Sequence, residues 1–283
     1  MEVIRRLAES LARCDEARGA GRRVGVVPTM GAFHEGHTSL MRRARDETDL
    51  VVVTLFVNPL QFGDAADLAA YPRDEDRDRG IAQELGVDLL LAPTAEEMYP
   101  VGPPEVSVDP GPLGDRFEGA SRPGHFRGVA TVVAKLLHAV GPARAYFGQK
   151  DAQQLAVIRC MVTDLSFPVE IVACATVREP DGLALSSRNR RLTPEQREAA
   201  GCLFLALSEA AELARGGERD AAKLVAAMAR EVGATPQARL DYAAVVDEET
   251  FDEIREISRP ARALVAARFG EVRLIDNLLL PTA

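Results

Sequence analysis

Features that mark several common protein classes are missing from this chain of 283 residues. None of its four cysteines, Cys14, Cys160, Cys174 and Cys202, stand at C-x-x-C spacing, which argues against a zinc site and for reduced thiols. No run approaches the roughly 18 apolar residues that a membrane span needs. The start, MEVIRRLAES, has no apolar stretch behind a basic one, so we expect a cytoplasmic protein without signal peptide or membrane partner.

An excess of positive charge is missing as well. The formal net charge is -9 at pH 7, so bulk electrostatics give no reason to expect nucleic-acid binding. The composition, 47% hydrophobic and 27% charged, is ordinary for a globular protein and supports a large core. The length suits one large domain or two ordinary ones.

Short apolar runs alternate with amphipathic stretches through the first part of the chain. The run LVVVTLFV at 50–57 is typical of a parallel strand buried on both faces. Strands that alternate with helices indicate βαβ units and a mostly parallel sheet covered on both sides, which is an α/β fold. The pattern predicts strands at 24–27, 50–57, 87–91, 143–147 and 169–173, and helices at 5–20, 36–47, 74–85, 124–140 and 152–164.

The composition and the hydrophobic pattern of the sequence change after about Val177. Residues 178–191 are polar and punctuated by glycine and proline, which predicts a loop. Thr193 and Pro194 then predict a helix start, with threonine as the N-cap. We predict an N-terminal domain over residues 1–177 and a smaller α+β domain over 178–283. Its predicted helices are 201–215 and 219–232, and its predicted strands are 238–246, 261–268 and 272–278.

The stretch PTMGAFHEGHTSL, from Pro28 to Leu40, carries the most chemical information. A buried strand runs into a turn with two glycines, and His34 and His37 stand where a helix begins. A helix N-terminus offers unpaired N–H groups and partial positive charge, and two imidazole N–H donors add to it. The pattern therefore predicts a polyphosphate site at the carboxyl end of a strand in a doubly wound sheet.

Two other interpretations of the paired histidines stay open at this point. They could be half of a metal site, although the zincin signature is H-E-x-x-H and H-E-G-H is one residue shorter. They could also be surface residues without a role. This combination is improbable by chance: a strand, a turn with two glycines, and both histidines at one helix start. It favours the interpretation as a polyphosphate site.

Five motifs in order resemble one family. H-E-G-H after a strand is similar to the HxGH signature of the nucleotidyltransferases, whose fold is Rossmann-like, and PTMGAFHEGHTSL resembles its version in the pantothenate synthetase, or pantoate–β-alanine ligase, family. FVNPLQF from Phe56, YPR from Tyr71, FGQKDAQQL from Phe147 and LSSRN from Leu185 resemble that family's FVNPxQF, YPR, FGEKDxQQL and MSSRN. Gln149 in place of glutamate and Leu185 in place of methionine are mild departures.

The resemblance implies an ATP-using ligase with a Rossmann-like doubly wound domain. Such an enzyme activates pantoate as an acyl-adenylate, releases pyrophosphate, and passes the pantoyl group to β-alanine, giving pantothenate and AMP. His37, His34 and Lys150 would be catalytic, and Gln61 and Gln154 would bind pantoate. The residues that would bind ATP are Met30, Gly31, Ala32, Phe33, His34, Glu35, Gly36, His37, Gly148, Gln149, Lys150, Asp151, Val177, Leu185, Ser186, Ser187 and Arg188.

The resemblance also implies partners and a cofactor. Mg²⁺ would accompany ATP, and Asp78 is a candidate protein ligand, unless 74–78 is only a charged helix face. The partners would be pantoate, β-alanine, ATP and a second copy of the chain, because the family forms homodimers. The 178–191 loop and the C-terminal domain would act as a lid that keeps water from the acyl-adenylate. His125 is a less favoured candidate for another phosphate donor.

Three competing functions remain from the residues alone. They are a different HxGH nucleotidyltransferase, a nucleotide sensor without catalysis, and a zinc-dependent hydrolase. The motifs FVNPLQF and KDAQQ argue against the first. A sensor would be expected to have lost some of His34, His37, Lys150 and Ser186, and all four are present.

Overall fold

The structure, a computed structural model, describes residues 1–63 and 65–281. Its chain divides into two compact units, each with its own sheet. Unit 1 comprises Met1–Gln149 and Gln153–Ala175, and unit 2 comprises Lys150–Ala152 and the chain from Thr176 onward. The domain ranges 1–177 and 178–283, with the roles assigned to them, stay predictions.

Unit 1 is built on a parallel sheet. Its strands are β1 Glu2–Ile4, β2 Val24–Val27, β3 Leu50–Thr54, β4 Leu89–Leu91, β5 Ala143–Gly148 and β6 Val169–Cys174. They lie in the order β1-β4-β3-β2-β5-β6, and every neighbouring pair is parallel. Because β3 lies on one side of β2 and β5 on the other, the winding reverses between β2 and β5. In open α/β sheets, ligands bind outside the carboxyl ends of the strands at such a switch point.

Helices cover both faces of this sheet. They are α1 Leu7–Gly19, α2 Glu35–Glu47, α3 Ala65–Ala70, α4 Glu75–Glu84, α5 Ala95–Met98, α6 Glu118–Ser121, α7 His125–His138 and α8 Ala152–Asp164. Along β3, Leu50 and Val52 join a hydrophobic cluster with residues of α1, α7 and α8, whereas Val51 and Val53 join a second cluster with residues of α2 and α4. Burial on both faces is what the unbroken apolar run predicted, and the doubly wound α/β fold is confirmed.

Strand β3 is shorter than the predicted run of 50–57. It ends at Thr54, whose hydroxyl and carbonyl oxygens accept hydrogen bonds from Thr29 in the loop after β2. Thr29 N–H donates to Thr54 Oγ1 at 3.1 Å, and the Thr29 hydroxyl donates to the Thr54 carbonyl at 2.5 Å. The end of β3 and the loop after β2 are thereby joined.

Unit 2 is a small α+β unit, as predicted. Its antiparallel sheet runs in the order β7-β8-β9, and its helices pack on that sheet. Thr193 caps the first helix, because its Oγ1 accepts a hydrogen bond from Gln196 N–H. The elements are α9 Pro194–Ala199, α10 Cys202–Arg215, α11 Ala221–Gly233, β7 Arg239–Asp247, β8 Ala261–Phe269 and β9 Val272–Leu279.

Across residues 1–63 and 65–281, no helix combines the length and apolarity that crossing a membrane requires.

Candidate active site

The loop between β2 and α2 carries the paired histidines, and it lies at the switch point of the sheet. Its first residues bond to the end of β3 through Thr29, as described above. Gly31 N–H also donates to Thr29 Oγ1, at 3.2 Å. The loop therefore begins from a fixed point on the neighbouring strand.

The two imidazoles cap the start of α2 reciprocally. Nδ1 of His34 accepts from Gly36 N–H at 3.1 Å, and Nδ1 of His37 accepts from His34 N–H at 3.4 Å. In a neutral imidazole one nitrogen accepts and the other carries the proton, so each ring has its N–H at Nε2. The ring centroids are 4.2 Å apart. Two Nε2–H donors thus stand at one helix start, where the helix dipole also favours an anion.

A side chain at Gly36 would crowd the capping ring of His34. A Cβ at this position would lie 2.8 Å from Cε1 and 3.0 Å from Nδ1 of His34. Any other residue would push the His34 ring away from the amide whose hydrogen bond it accepts. The glycine of H-E-G-H therefore leaves the His34 ring in its capping position.

Glu35, between the histidine and the glycine, has its carboxylate on the surface of the helix. It accepts from the Thr38 hydroxyl at 2.9 Å and forms an ion pair with Arg42. The hydrogen bonds from Arg42 and Thr38 lower the pKa of Glu35. Its negative charge is therefore compensated within α2.

A buried carboxylate from α4 contacts the middle of the same loop. Asp78 is 1% exposed. Its Oδ2 accepts from Ala32 N–H at 2.7 Å and its Oδ1 from Phe33 N–H at 2.9 Å. The neighbouring Arg77 donates to the Phe33 carbonyl at 3.1 Å. Asp78 as a Mg²⁺ ligand stays a prediction, and both of its oxygens bind loop backbone.

Gln61 and Met30, predicted for pantoate and ATP respectively, lie in contact. Nε2 of Gln61 is 3.1 Å from Met30 Sδ, and Oε1 of Gln61 accepts from Asn58 Nδ2 at 3.1 Å. His125 Nδ1 is 2.9 Å from the Gln61 carbonyl, and Arg122 Nη1 is 3.1 Å from His125 Nε2. Both ring nitrogens of His125 are engaged in this way, and His125 as a phosphate donor stays a prediction.

The adjacent glutamines at the start of α8 have different surroundings. Gln153 is buried, and its Nε2 donates to the carbonyls of Leu113 and Arg116 at 2.9 and 2.8 Å. Its Oε1 accepts from Glu118 N–H at 3.0 Å. The half-buried amide of Gln154 has no hydrogen bond to any residue in the described ranges. Gln154 therefore keeps its donor and acceptor for a ligand.

Gly148 and Gln149 lie at the carboxyl end of β5, the strand across the switch point from β2. Gly148 pairs with Cys174 of β6. A Cβ added at Gly148 would meet no atom within 4 Å, so open space adjoins its backbone.

In unit 2, strand β9 contacts both Lys150 and the segment after β6. Nδ2 of Asn277 donates to the Lys150 carbonyl at 2.8 Å, and Lys150 Nζ is 3.6 Å from Asp151 Oδ1. Arg178 binds both carboxylate oxygens of Asp276, at 2.5 and 3.0 Å. Burial raises the pKa of Asp276, although the pairing with Arg178 opposes this.

The segment from Val177 to Leu185, predicted as part of a loop, is a tight hairpin. Leu185 N–H donates to the Val177 carbonyl at 2.9 Å. Gly182, with φ 90°, forms its turn, and a Cβ there would lie 2.0 Å from Cδ1 of Phe204 on α10. The Arg178 guanidinium is 4.5 Å from the centre of the same ring. The hairpin is thus packed directly on α10.

Ser186, Ser187 and Arg188 follow the hairpin at the start of a 3-10 helix, Ser187–Arg191. Ser186 caps this helix, because its Oγ accepts from Arg188 N–H at 3.3 Å. Within the part of the chain that the structure describes, the half-buried guanidinium of Arg188 has neither an ion pair nor a hydrogen bond. Such a group suits a phosphate, which arginine binds with two parallel donors.

A family model described as pantoate-beta-alanine ligase matches residues 2–279. The chain belongs to the pantoate–β-alanine ligase family. The resemblance read from the five motifs is confirmed, and with it the prediction that the chain is an enzyme.

Individual relatives of this ligase agree. The pantothenate synthetase of Rubrobacter xylanophilus is 56% identical over 271 residues, which are 93% of this chain and 93% of that protein. The crystal structure of pantothenate synthetase from Thermus thermophilus has a TM-score of 0.92 at 51% identity, covering 99% of this chain and 100% of that one. The pantoate–β-alanine ligase of Francisella tularensis, crystallised with β-γ ATP and β-alanine, has a TM-score of 0.79 at 34% identity, covering 100% and 99%.

A protein-only metal centre is not available to this ligase in residues 1–63 and 65–281, which contain no group of three or more His, Cys, Asp or Glu able to hold an ion. Mg²⁺ usually keeps several waters and binds substrate phosphates with one or two carboxylates. The residues present suit a Mg²⁺ that arrives on ATP. The metal-site interpretation of His34 and His37 finds no third ligand there.

Asn58 supports the side chain of Gln61, and the sequence did not predict this role. It is completely buried, and its Nδ2 donates to Gln61 Oε1 and to the Gly128 carbonyl, each at 3.1 Å. Its Oδ1 accepts from the Tyr99 hydroxyl at 2.8 Å. The signal was its place in FVNPLQF, three residues before Gln61, although spacing alone did not distinguish a turn former from a support.

A cavity of about 400 Å³ lies within unit 1 beside Met30 and Asp78. Its walls are mainly apolar, and the charged residues among them are Arg73, Asp74, Glu75 and Asp78. The volume falls within the range of small-molecule sites, roughly 300–1,000 Å³. The loop after β2 therefore borders a space large enough for a small molecule.

Proposed function

We propose that this chain forms pantothenate from pantoate and β-alanine in two steps, through a pantoyl adenylate. In the first step a pantoate carboxylate oxygen attacks the α-phosphorus of ATP, and the bond from that phosphorus to the pyrophosphate oxygen breaks. In the second the β-alanine amine attacks the acyl carbon, AMP leaves, and the amine loses a proton. Family membership supports the overall reaction, and the assignment of residues to the steps is the proposal.

The reciprocal histidine cap of α2 is the observation that carries this assignment. As the bond to the α-phosphorus breaks, negative charge grows on the departing pyrophosphate. Donors already in place stabilise such charge without reorganising. His34 and His37 supply an Nε2–H each, and His37 is assigned as the hydrogen-bond donor to the departing pyrophosphate oxygen. The neighbouring backbone from Met30 to Gly36 is assigned to the same nucleotide.

Pantoate is assigned to Gln61 and Gln154. The substrate has one carboxylate and two hydroxyls, and neutral amides can both donate to and accept from such groups. Amides also avoid an ion pair that would weaken the carboxylate as a nucleophile. Asn58 and His125 support Gln61, and the amide of Gln154 is unoccupied by described residues, which favours this assignment.

The remaining residues assigned to ATP would contact either its phosphates or other parts of the nucleotide. Lys150 and Arg188 are assigned to phosphate oxygens, together with the hydroxyls of Ser186 and Ser187. Val177 is assigned to adenine through its backbone, whose carbonyl also accepts from Leu185 N–H. The other residues assigned to the nucleotide are Gly148, Gln149, Asp151 and Leu185.

The substrate form of the nucleotide is assigned as Mg-ATP, in which Mg²⁺ reduces the charge on the phosphate oxygens. Phosphates and water would hold the ion, because the described residues form no metal centre. Homodimerisation, cytoplasmic location and a lid role for the C-terminal domain are proposed on the family resemblance. Light scattering on the purified chain tests the dimer, and equal protease sensitivity of 178–191 with and without an ATP analogue would count against the lid.

Pantoate-dependent exchange of labelled pyrophosphate into ATP, measured without β-alanine, tests the first step. Adding β-alanine should then give pantothenate and AMP in equal amounts. Exchange that proceeds equally without pantoate would instead indicate a different nucleotidyltransferase. No exchange under any of these conditions would contradict the proposal.

A further inference from the structure

We propose that Asp78 is a positioning residue that maintains the left-handed backbone of the loop before His34. The consequence for catalysis rests on the proposed function, since the loop is there assigned to ATP. The structural part, that the carboxylate fixes the loop, stands on contacts within unit 1.

Two consecutive residues of this loop have positive φ angles, 85° at Gly31 and 55° at Ala32. Glycine adopts this region readily, but in alanine the Cβ atom crowds the following carbonyl. Ala32 therefore needs an outside contact to stay there. The N–H of Ala32 and the N–H of the next residue, Phe33, both donate to the one carboxylate of Asp78.

The carboxylate also packs against the loop without a gap. A Cβ added at Gly31 would lie 2.8 Å from Asp78 Oδ2 and 2.6 Å from Leu55 Cδ1. Arg77, from the same helix, donates to the Phe33 carbonyl, so α4 contacts three successive polar groups of the backbone. The next residue is His34, the N-cap of α2. The position of this backbone hence sets where both imidazoles begin.

This arrangement gives Asp78 a different role from that of a metal ligand. Each of its oxygens already accepts a backbone N–H at 2.7 or 2.9 Å, and the side chain is 1% exposed. A cation at the same oxygens would compete with those donors. Asp78 acts through the loop, and its effect on Mg²⁺ dependence should be small.

Asp78→Asn separates these roles, because it keeps the shape of the side chain but replaces one accepting oxygen with an NH₂ group. Asp76→Asn is the matched control, on the same helix with the same change in charge at a side chain that is 91% exposed. We expect Asp78→Asn to lower kcat for pantoate-dependent exchange by about 10- to 100-fold, with an unchanged Mg²⁺ requirement. Asp76→Asn should stay within about twofold of the unaltered chain.

Ala32→Gly, combined with Asp78→Asn, tests the conformational cause. Glycine adopts the positive φ without help, so the double variant should recover about fivefold or more of the lost kcat. A role in simple structural stability would show equal kcat in the single and double variants. That result would overturn the inference.

Hydrogen exchange gives a readout that is independent of activity and of the proposed function. The amides of Ala32 and Phe33 should be protected in the unaltered chain, and unprotected amides there would overturn the inference even if no variant folds. Protection should fall at least about tenfold in Asp78→Asn and stay unchanged in Asp76→Asn. Full protection in Asp78→Asn with a raised Mg²⁺ requirement would make Asp78 a metal ligand and would also overturn it. Absence of exchange of pyrophosphate by the unaltered chain would count against the proposed function alone.

Discussion

The two segments assigned to the phosphates are fixed in different ways. The loop between β2 and α2 is held through its backbone by side chains distant in sequence, Thr54 and Asp78. The segment from Ser186 to Arg188 follows a local hairpin and offers a guanidinium without a described partner. The loop between β2 and α2 should therefore position the ATP phosphates, and the segment from Ser186 to Arg188 should supply positive charge to them. Substitutions in the first should lower kcat, whereas those in the second should mainly raise KM for ATP.

The largest effect is expected for His37→Ala. Removing a fixed donor to developing charge costs about a hundredfold to a thousandfold in rate in other enzymes. Pantoate-dependent exchange should fall by that order, and loss of the capping bond from His34 N–H should cost about 1 kcal/mol of unfolding free energy. His138→Ala, at the exposed end of α7, is the control for loss of a histidine. Turnover of His37→Ala close to that of His138→Ala would remove His37 from the mechanism.

Gly36→Ala should come next, because it displaces the His34 ring without removing any functional group. We expect kcat to fall by about 10- to 100-fold, and the weakened cap to cost about 1 kcal/mol of unfolding free energy. Gly80→Ala on α4 is the matched control, since its Cβ would meet nothing within 4 Å. That control should gain about 0.5–1 kcal/mol in urea unfolding, as alanine does in helix interiors. If both variants behave alike, the close contact with His34 is not needed.

The next comparison is between two adjacent residues. Gln153→Ala tests a structural role, and Gln154→Ala tests pantoate binding. Gln153→Ala removes the donor to two partly buried carbonyls and the acceptor of one buried N–H, so unfolding free energy should fall by about 2 kcal/mol. Gln154→Ala should change unfolding free energy by less than about 0.5 kcal/mol but raise KM for pantoate by about tenfold. Urea titration and initial rates measure both. The reverse pattern would exchange the two roles.

Arg188→Ala tests the charge contribution of unit 2. Loss of a charge-assisted hydrogen bond to phosphate should raise KM for ATP by about tenfold with kcat nearly unchanged. Arg190→Ala, exposed two residues away, is the control for general positive charge and should stay within about twofold. Equal increases in both variants would indicate non-specific attraction.

The smallest effect is expected for Glu35→Gln, because Arg42 and Thr38 already occupy the carboxylate. KM for ATP should change less than about twofold. The Arg42 contact lowers the pKa of Glu35 from 4.5, so its contribution to stability is present above that value and is lost as pH falls through the folded-state pKa. Unfolding midpoints of the two proteins should therefore differ slightly at pH 7 and converge as the pH falls through the lowered pKa of Glu35. A difference that persists in acid would point to a cause other than this ionised carboxylate.

Helices and strands with a strong local sequence pattern could be predicted from the sequence, and those without such a pattern could not. Pro28 ends β2 where predicted, and α8 has the bounds predicted from its apolar pattern. Strand β1 was missed because three residues at the sheet edge leave no periodicity, and its register is set by pairing with β4. The short helices α3, α5 and α6 were missed for the same reason.

At the site, the motifs supplied residue identities but not the contacts that support them. The bond between Asp78 and Ala32 joins positions 46 residues apart, so it exists only once the sheet has formed. The contacts of Gln153 with Leu113, Arg116 and Glu118 were equally hidden, because they join positions 35 to 40 residues apart. Local patterns name the groups that touch a ligand, whereas the residues behind those groups depend on tertiary structure.

The close contact between Gly182 and Phe204 limits how the 177–185 hairpin can move. Because the turn at Gly182 is in close contact with the Phe204 ring, a rotation of the hairpin about its own two ends would break its packing on α10. The paired Arg178 and Asp276 connect it to β9 as well. A movement of this segment that keeps these contacts would be a rigid-body motion that includes α10 and β9.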